Sequence, residues 1–342
     1  MTDYRLKQNR REAFIRWYAW SLQYKDCDPA VWMTNYLNDR YEHNTEERLW
    51  LCWLYGNTYY LPTSWVLKNE FPDYELATVD RLNWWNSNNY KRLRYQTDTK
   101  YNKGHLPTMF ESYSKNIGKG QQLDYFNRLL GDNEHDSFRK VYSTVKENFY
   151  KFGRYTTWFY LQHLYSTCGI PIIPDSLFFS DYSGSRSHRN GFLFAVGKED
   201  LYDQKLTTKQ YEDLEEEAKS FLQEMTRRYP EYKNDINYYT METCLCSFKK
   251  IFREHHGRYL GYYLDRQAEE ISQVQSDGWY GIEWNVLWQA REESLDNRLT
   301  DKRGINKEMF AGFINTGSMN RLDWMYDDVK PTQYFSLESA IA

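Results

Sequence analysis

Apolar residues recur at the spacing of an α-helix through most of this sequence, and prolines and glycines divide the pattern into short segments. Phe14, Trp17, Tyr18 and Leu22 fall on one helical face. Residues 134–152 show the same periodicity and are followed by Gly153. A chain with this pattern buries one stripe of each helix, so we predict a mainly α protein.

Local signals place several helix ends. Asp28-Pro29 predicts a helix start, with a capping residue followed by a proline in the first turn. Asn44 and Glu47 have the spacing of a capping box. We expect the helix that follows to end at Gly56-Asn57.

The segment IPIIPD contains two prolines and is expected to be an extended linker, so an internal boundary is expected near residues 170–180. We predict either one catalytic domain over residues 1–342 or two helical lobes. In the second case residues 1–170 contact DNA and residues 171–330 carry the chemistry. Residues 331–342 are expected to form a frayed tail.

Aromatic residues make up 18% of the chain, including 32 Tyr and 13 Trp, and these rings either fill the core or stack on bases. The net charge of −4 argues against a protein that coats DNA non-specifically, although an enzyme acting on one nucleotide needs only a local basic patch. Five scattered cysteines do not suggest a zinc site and indicate reduced thiols in a cytosolic protein. Neither a signal peptide nor a membrane span is expected.

Residues 183–200, SGSRSHRNGFLFAVGKED, combine hydroxyls, backbone N–H groups and two guanidinium groups, which suits a phosphate or pyrophosphate. The run FLFAV is compatible with either a short strand or a buried turn of helix. Arg154 is expected at a joint between two helices, where burial requires an anionic partner. That partner is either a carboxylate or a substrate phosphate.

Aromatic residues alternate with lysines and arginines over residues 80–105. This pattern is typical of a segment that contacts nucleic acid, but it also fits an ordinary polar segment on the surface. The joint LYGNTY similarly presents either backbone amides for a DNA phosphate or a simple corner between two helices. Farther along, Glu242, Cys246, Lys249 and Lys250 share one predicted helical face. This stripe is either a site feature or an ordinary surface pair.

Taken in order, six segments resemble motifs of the phage amino acid:DNA transferases, also called α-glutamyl/putrescinyl thymine pyrophosphorylases. They are LYGNTY (54–59), FGR (152–154), SRSHRNGFLFAVGKED (185–200), METCLCSFKK (241–250), GYYLDR (261–266) and EWNVLWQAREE (283–293). The resemblance implies an enzyme of thymine hypermodification that acts in the host cell cytoplasm. Its substrates would be double-stranded DNA carrying pyrophosphorylated 5-hydroxymethyluracil and a free amino acid or polyamine.

The resemblance also implies a helical, DNA-glycosylase-like architecture, with a short extended segment expected near residues 185–197. A DNA glycosylase and a non-catalytic DNA-binding protein remain alternatives.

The general base is predicted to be Glu242, Asp265 or His188. The predicted pyrophosphate ligands are Arg154, Ser183, Ser185, Arg186, Ser187, Arg189 and Lys249. The predicted base contacts are Asn190, Tyr262 and Tyr263, and the predicted DNA contacts are Asn57, Thr58, Lys91, Arg92 and Arg94. No cofactor is certain, although Mg²⁺ could share the charge on pyrophosphate.

Overall fold

The structure is a computed structural model that describes residues 3–4, 6–181, 186–202, 204–251 and 258–295. These residues are mainly helical, as the periodicity predicts. Their α-helices are α1 (Arg10–Gln23), α2 (Pro29–Arg40), α3 (Thr45–Thr58), α4 (Leu61–Glu70), α5 (Val79–Asn89), α6 (Leu106–Ile117), α7 (Gln122–Leu129), α8 (Glu134–Asn148), α9 (Arg154–Cys168), α10 (Ser187–Ala195), α11 (Thr208–Arg228), α12 (Tyr238–Phe248), α13 (Tyr262–Ser276) and α14 (Trp284–Ser294). None of these helices is long and apolar enough to cross a membrane.

The predicted helix starts are confirmed, whereas one predicted end is wrong. Helix α2 begins at Pro29, and Asn44 forms the expected capping box with Glu47 at the start of α3. Helix α3 continues through Gly56 to Thr58 instead of ending at the glycine. A Cβ at Gly56 would lie 3.0 Å from the ring of Tyr160 on α9, so this glycine allows close helix packing and does not break the helix.

The described residues form two compact units. The first unit contains described residues of the ranges 1–29 and 176–267 together with Leu295, and the second contains residues 30–175 and 268–294. The division falls within α13, whose first residues belong to the first unit.

The core of the first unit is built on aromatic rings from α1, α11 and α12. Phe14 lies 5.1 Å from Phe221 and 5.2 Å from Phe248 between ring centroids. The Nε1 group of Trp17 donates a hydrogen bond of 3.2 Å to the Ser247 hydroxyl, so α1 is also fixed to α12 by a polar contact.

The extended segment predicted near residues 185–197 is wrong, because residues 187–195 form α10. Its backbone makes helical bonds, including one from the N–H of Val196 to the oxygen of Phe192. The apolar run is continuous because both sides of this short helix are buried, and such a run does not distinguish a strand from a helix. A Cβ at Gly191 would lie 2.6 Å from the backbone oxygen of Leu245, so α10 and α12 approach closely at this glycine.

The second unit has its own aromatic core around α3. Trp50 and Trp53 are stacked with their ring centroids 5.1 Å apart, and Tyr113 of α6 lies 4.8 Å from Trp53. These rings are buried. They support the interpretation of much of the aromatic content as core.

Candidate active site

In the first unit, the close packing of α10 on α12 brings a lysine, a serine and a cysteine together. The ammonium group of Lys249 donates to the backbone oxygen of Ser187 at 2.9 Å and also contacts its hydroxyl. The thiol of Cys246 lies 3.4 Å from the same hydroxyl. Ser187 is the first residue of α10, and Lys249 directly follows the last residue of α12. Two predicted pyrophosphate ligands therefore lie in direct contact.

Glu242 extends this cluster by one helical turn along α12. Its side chain is fully buried, and its Oε1 lies 3.6 Å from the sulfur of Cys246. Glu242 and Cys246 therefore lie on one face of α12, and Lys249, which contacts the same hydroxyl as Cys246, lies at the end of that face. Burial and, to a lesser degree, the charge of Glu242 raise the pKa of the Cys246 thiol to about 11, although Lys249 opposes the change. The thiol is therefore protonated near neutral pH.

His188 and Arg189, the next residues of α10, are both buried and held by other parts of the first unit. The Nε2 atom of His188 lies 3.4 Å from the backbone oxygen of Phe178. The guanidinium group of Arg189 donates to the backbone oxygen of Tyr202 at 2.6 Å and to the hydroxyl of Tyr211 at 3.2 Å. These contacts fix the orientation of two predicted site residues.

The other predicted residues of this segment differ in environment. Arg186 is exposed just before α10, and Asn190 is half-buried on that helix. The Oδ1 atom of Asn190 is buried and has no hydrogen-bond partner. A buried amide oxygen of this kind is suited to accept a bond from a ligand. Ser183 and Ser185 lie outside the described residues.

The start of α13 is held by Asp26, which follows α1. Its carboxyl group accepts hydrogen bonds from the backbone N–H groups of Gly261, Tyr263 and Leu264 at 2.9, 3.0 and 3.1 Å. Burial raises the pKa of Asp26 to about 8, although the three N–H donors act in the opposite direction. Asp26 therefore positions the helix that carries Tyr262, Tyr263 and Asp265.

The predicted base contacts lie beside a second cation at this helix start. The guanidinium carbon of Arg258 lies 3.7 Å from the centre of the Tyr262 ring. Burial raises the pKa of Tyr263 well above its usual value, the charge of Arg258 lowers it, and the charge of Cys246 raises it. Asp265 accepts a hydrogen bond of 2.8 Å from the hydroxyl of Tyr259.

Several predicted site residues belong to the second unit. Arg154 is the first residue of α9 and is buried, with its guanidinium carbon 4.6 Å from the centre of the Trp158 ring. Its grouping with Arg189 and Lys249 stays a prediction. Asn57 and Thr58 are fully buried at the end of α3. The side chain of Asn57 donates to the backbone oxygen of Trp53 at 2.6 Å, and the Thr58 hydroxyl lies 2.7 Å from that of Ser64.

The predicted DNA contacts Lys91, Arg92 and Arg94 follow α5 in the second unit. Lys91 and Arg92 are exposed, whereas Arg94 forms two hydrogen bonds of 2.6 and 2.7 Å with the carboxylate of Asp277. Within the described part of the chain, no three His, Cys, Asp or Glu side chains form a group able to hold a metal ion.

The sequence profile of the amino acid:DNA transferases matches residues 12–256. The chain belongs to this family. It is also 26% identical, over 343 aligned positions, to a serinyltransferase of Salmonella phage ViI, with 92% of this chain and 82% of the relative covered. No solved structure matches the chain significantly.

The protein is therefore an amino acid transferase that acts on DNA. The family match covers Ser187, Glu242 and Lys249, whereas Tyr262 and Asp265 lie beyond its last residue. In the transferase, a buried carboxylate on α12 and a fixed ammonium group just after its last residue thus lie within the matched region. Such a pair can accept a proton at one end and stabilise an anion at the other.

The sequence pattern indicates the stripe that includes Glu242 and Cys246, but Asp26, Arg258 and Tyr259 are not among the site residues predicted from it. Arg258 and Tyr259 carry a weak signal, because they directly precede a matched motif. Asp26 has none, because the N–H groups it binds lie at least 235 positions farther along the chain.

Proposed function

We propose that the transferase replaces the pyrophosphate of 5-(pyrophosphoryloxymethyl)uracil in phage DNA with an amino acid or a polyamine, in the host cell cytoplasm. The single observation that carries the proposal is the contact of Lys249 with Ser187 one turn beyond Cys246 and two turns beyond Glu242. The name of the phage relative favours serine as the incoming amino acid.

In the proposed reaction, the bond between the exocyclic carbon and the pyrophosphate oxygen breaks, and the electron pair leaves with pyrophosphate. Lys249 and the hydroxyl of Ser187 stabilise the growing negative charge. Lysine has three N–H donors, and Ser187 uses two of them, so one is available for a phosphate oxygen. Because the ammonium group is already fixed, it needs no reorganisation when the charge develops.

The incoming nucleophile forms the new bond to the exocyclic carbon and loses a proton. Glu242 is our proposed acceptor because it is buried on the same face as Lys249 and lies within the family match. Asp265 and His188 are the other candidates. Asp265 already accepts a hydrogen bond from Tyr259. The His188 imidazole lies near the backbone oxygen of Phe178 and is stacked on the ring of Phe179. Both side chains therefore already have structural contacts.

The target base is proposed to leave the duplex, in the manner of helical DNA glycosylases, and to stack on Tyr262 or Tyr263. The Oδ1 atom of Asn190 would accept the uracil N3–H. Arg186, Arg189 and the serines at 183 and 185 are the further proposed pyrophosphate ligands in the first unit, and Arg154 is the proposed ligand in the second. A divalent cation such as Mg²⁺ could share the charge on pyrophosphate.

The decisive experiment incubates DNA carrying the pyrophosphorylated base with a mixture of amino acids and polyamines. Nucleosides are then analysed by mass spectrometry while released pyrophosphate is measured. We expect an adduct whose mass equals that of the 5-hydroxymethyluracil nucleoside plus one amino acid minus one water, formed in step with pyrophosphate. Free base and abasic sites would indicate a glycosylase, and unchanged DNA would indicate a non-catalytic binding protein.

A matched variant makes the result specific to the cluster. Lys249→Gln removes the charge next to Ser187, whereas Lys209→Gln removes the charge of a lysine side chain that is 76% exposed on α11. The first should slow formation of the adduct by about a hundredfold or more, and the second should leave its rate unchanged.

A further inference from the structure

Two segments of the second unit that are far apart in sequence form one surface. Arg92 donates to the backbone oxygens of Asp277 and Gly278 at 2.9 and 3.2 Å, and Arg94 binds the Asp277 carboxylate. The guanidinium carbon of Arg92 also lies 4.1 Å from the centre of the Trp279 ring. These contacts fix the turn at residues 277–281 against the loop at residues 90–103.

This surface exposes large aromatic side chains. Tyr280 is fully exposed, at 101%, and Trp84 and Tyr101 are each 70% exposed. Trp84 lies on α5, and Trp279 is stacked on Trp85 with a centroid distance of 5.7 Å, so α5 adjoins the turn and the backbone beside Tyr280 and Trp84 is anchored. Anchored rings that face solvent are suited to stack on another flat group.

The same surface carries positive charge. The loop at residues 90–103 contains five cations and one carboxylate, that of Asp98. Arg94 is neutralised by Asp277, whereas Lys91, Arg92 and Lys100 are exposed. Lys103 donates to the backbone oxygen of Lys91 at 2.9 Å, which brings the two ends of the loop together.

We propose that the loop at residues 90–103 and the turn at residues 277–281 bind a DNA strand that contains unpaired bases. The cations neutralise phosphates, and Tyr280, Trp84 and Tyr101 stack on bases that have left the duplex. Arg94 acts as a positioning residue, because its pair with Asp277 holds the turn that presents Tyr280. The choice of DNA as partner rests on membership of the transferase family and not on the proposed pyrophosphate chemistry.

Binding is measured by fluorescence anisotropy with two probes that carry no pyrophosphate, a labelled single strand and the matched duplex. Tyr280→Ala should weaken binding to the single strand on the order of tenfold, whereas Tyr280→Trp keeps the ring and should bind like the natural protein. Lys100→Gln should reduce the slope of log affinity against log salt by about 0.7 on the single strand, as expected for one lost phosphate contact. The control Lys119→Gln changes a lysine whose side chain is 80% exposed elsewhere in the second unit.

Unchanged affinity and salt slope in Tyr280→Ala and Lys100→Gln would overturn the proposal. An equal loss of affinity and salt slope in Lys119→Gln would also overturn the proposal, because the overall positive charge of the protein would then explain binding. Circular dichroism of each variant checks that the helices are intact. Because binding is measured without catalysis, a protein that binds DNA through this surface but transfers nothing would refute the proposed reaction alone.

Discussion

The ammonium group of Lys249 lies 2.9 Å from the backbone oxygen of Ser187, a residue 62 positions earlier in the chain. The contact joins the end of α12 to the first turn of α10. Because the same lysine also contacts the Ser187 hydroxyl, it is fixed by two hydrogen bonds that it donates to one residue. A cation held in this way meets the requirement for stabilising a leaving group whose charge grows during the reaction.

Lys249→Gln is expected to lower kcat by about a hundredfold or more and to change KM much less, because the charge matters most as pyrophosphate leaves. Ser187→Ala should give a smaller loss, because the backbone oxygen still holds the lysine. Rates of pyrophosphate release at saturating substrate measure both effects. Near-normal turnover in Lys249→Gln would remove this residue from the reaction.

Glu242→Gln should slow transfer by about 10²- to 10⁴-fold, because the amide keeps the shape of the side chain but cannot accept the proton of the nucleophile. Asp265→Asn should retain most activity, because its main described contact is with the Tyr259 hydroxyl. Single-turnover rates across a range of pH compare the two variants. If the fall of the rate at low pH disappeared in Asp265→Asn, and the pH dependence of the rate were unchanged in Glu242→Gln, the general base would be Asp265.

Cys246→Ser is expected to retain transfer within about tenfold of the natural protein, because the thiol is not the nucleophile. The pKa of Cys246 is raised to about 11 by burial and by Glu242, so little thiolate exists near neutral pH. Alkylation by iodoacetamide should accordingly be slow at pH 7 and accelerate as the pH approaches about 11. Rapid alkylation at neutral pH that tracks loss of activity would contradict this prediction.

The sequence predicts most helices because their signals are local. Proline at α2 and the capping box at α3 act within one turn, so the residues themselves determine those starts. Gly56 predicts a helix end that does not occur, because the residue it packs against, Tyr160, is more than a hundred positions away. The apolar run of α10 is compatible with an extended segment for a related reason, since only its tertiary environment decides between strand and helix.

The candidate site shows the same limit. Glu242, Cys246 and Lys249 can be placed together from helical spacing alone, whereas Asp26 meets the start of α13 only in the folded chain. The charge of Arg189 predicts a pyrophosphate ligand, yet its guanidinium group donates to the backbone oxygen of Tyr202. Since this guanidinium is buried, we expect Arg189→Ala to lower stability as well as activity.

Asp26 gives the fold a pH dependence that can be measured. Its pKa is about 8 in the folded protein because of burial, compared with about 3.9 in an unfolded chain. Between these values the folded state keeps a proton that the unfolded state has lost, so this contribution to stability is complete below about pH 4 and declines up to about pH 8.

Asp26→Asn removes the titration while retaining an oxygen for α13. Urea unfolding at several pH values should show the natural protein losing on the order of a few kcal/mol, relative to this variant, as the pH rises. Parallel pH curves for the two proteins would show that Asp26 has an ordinary pKa.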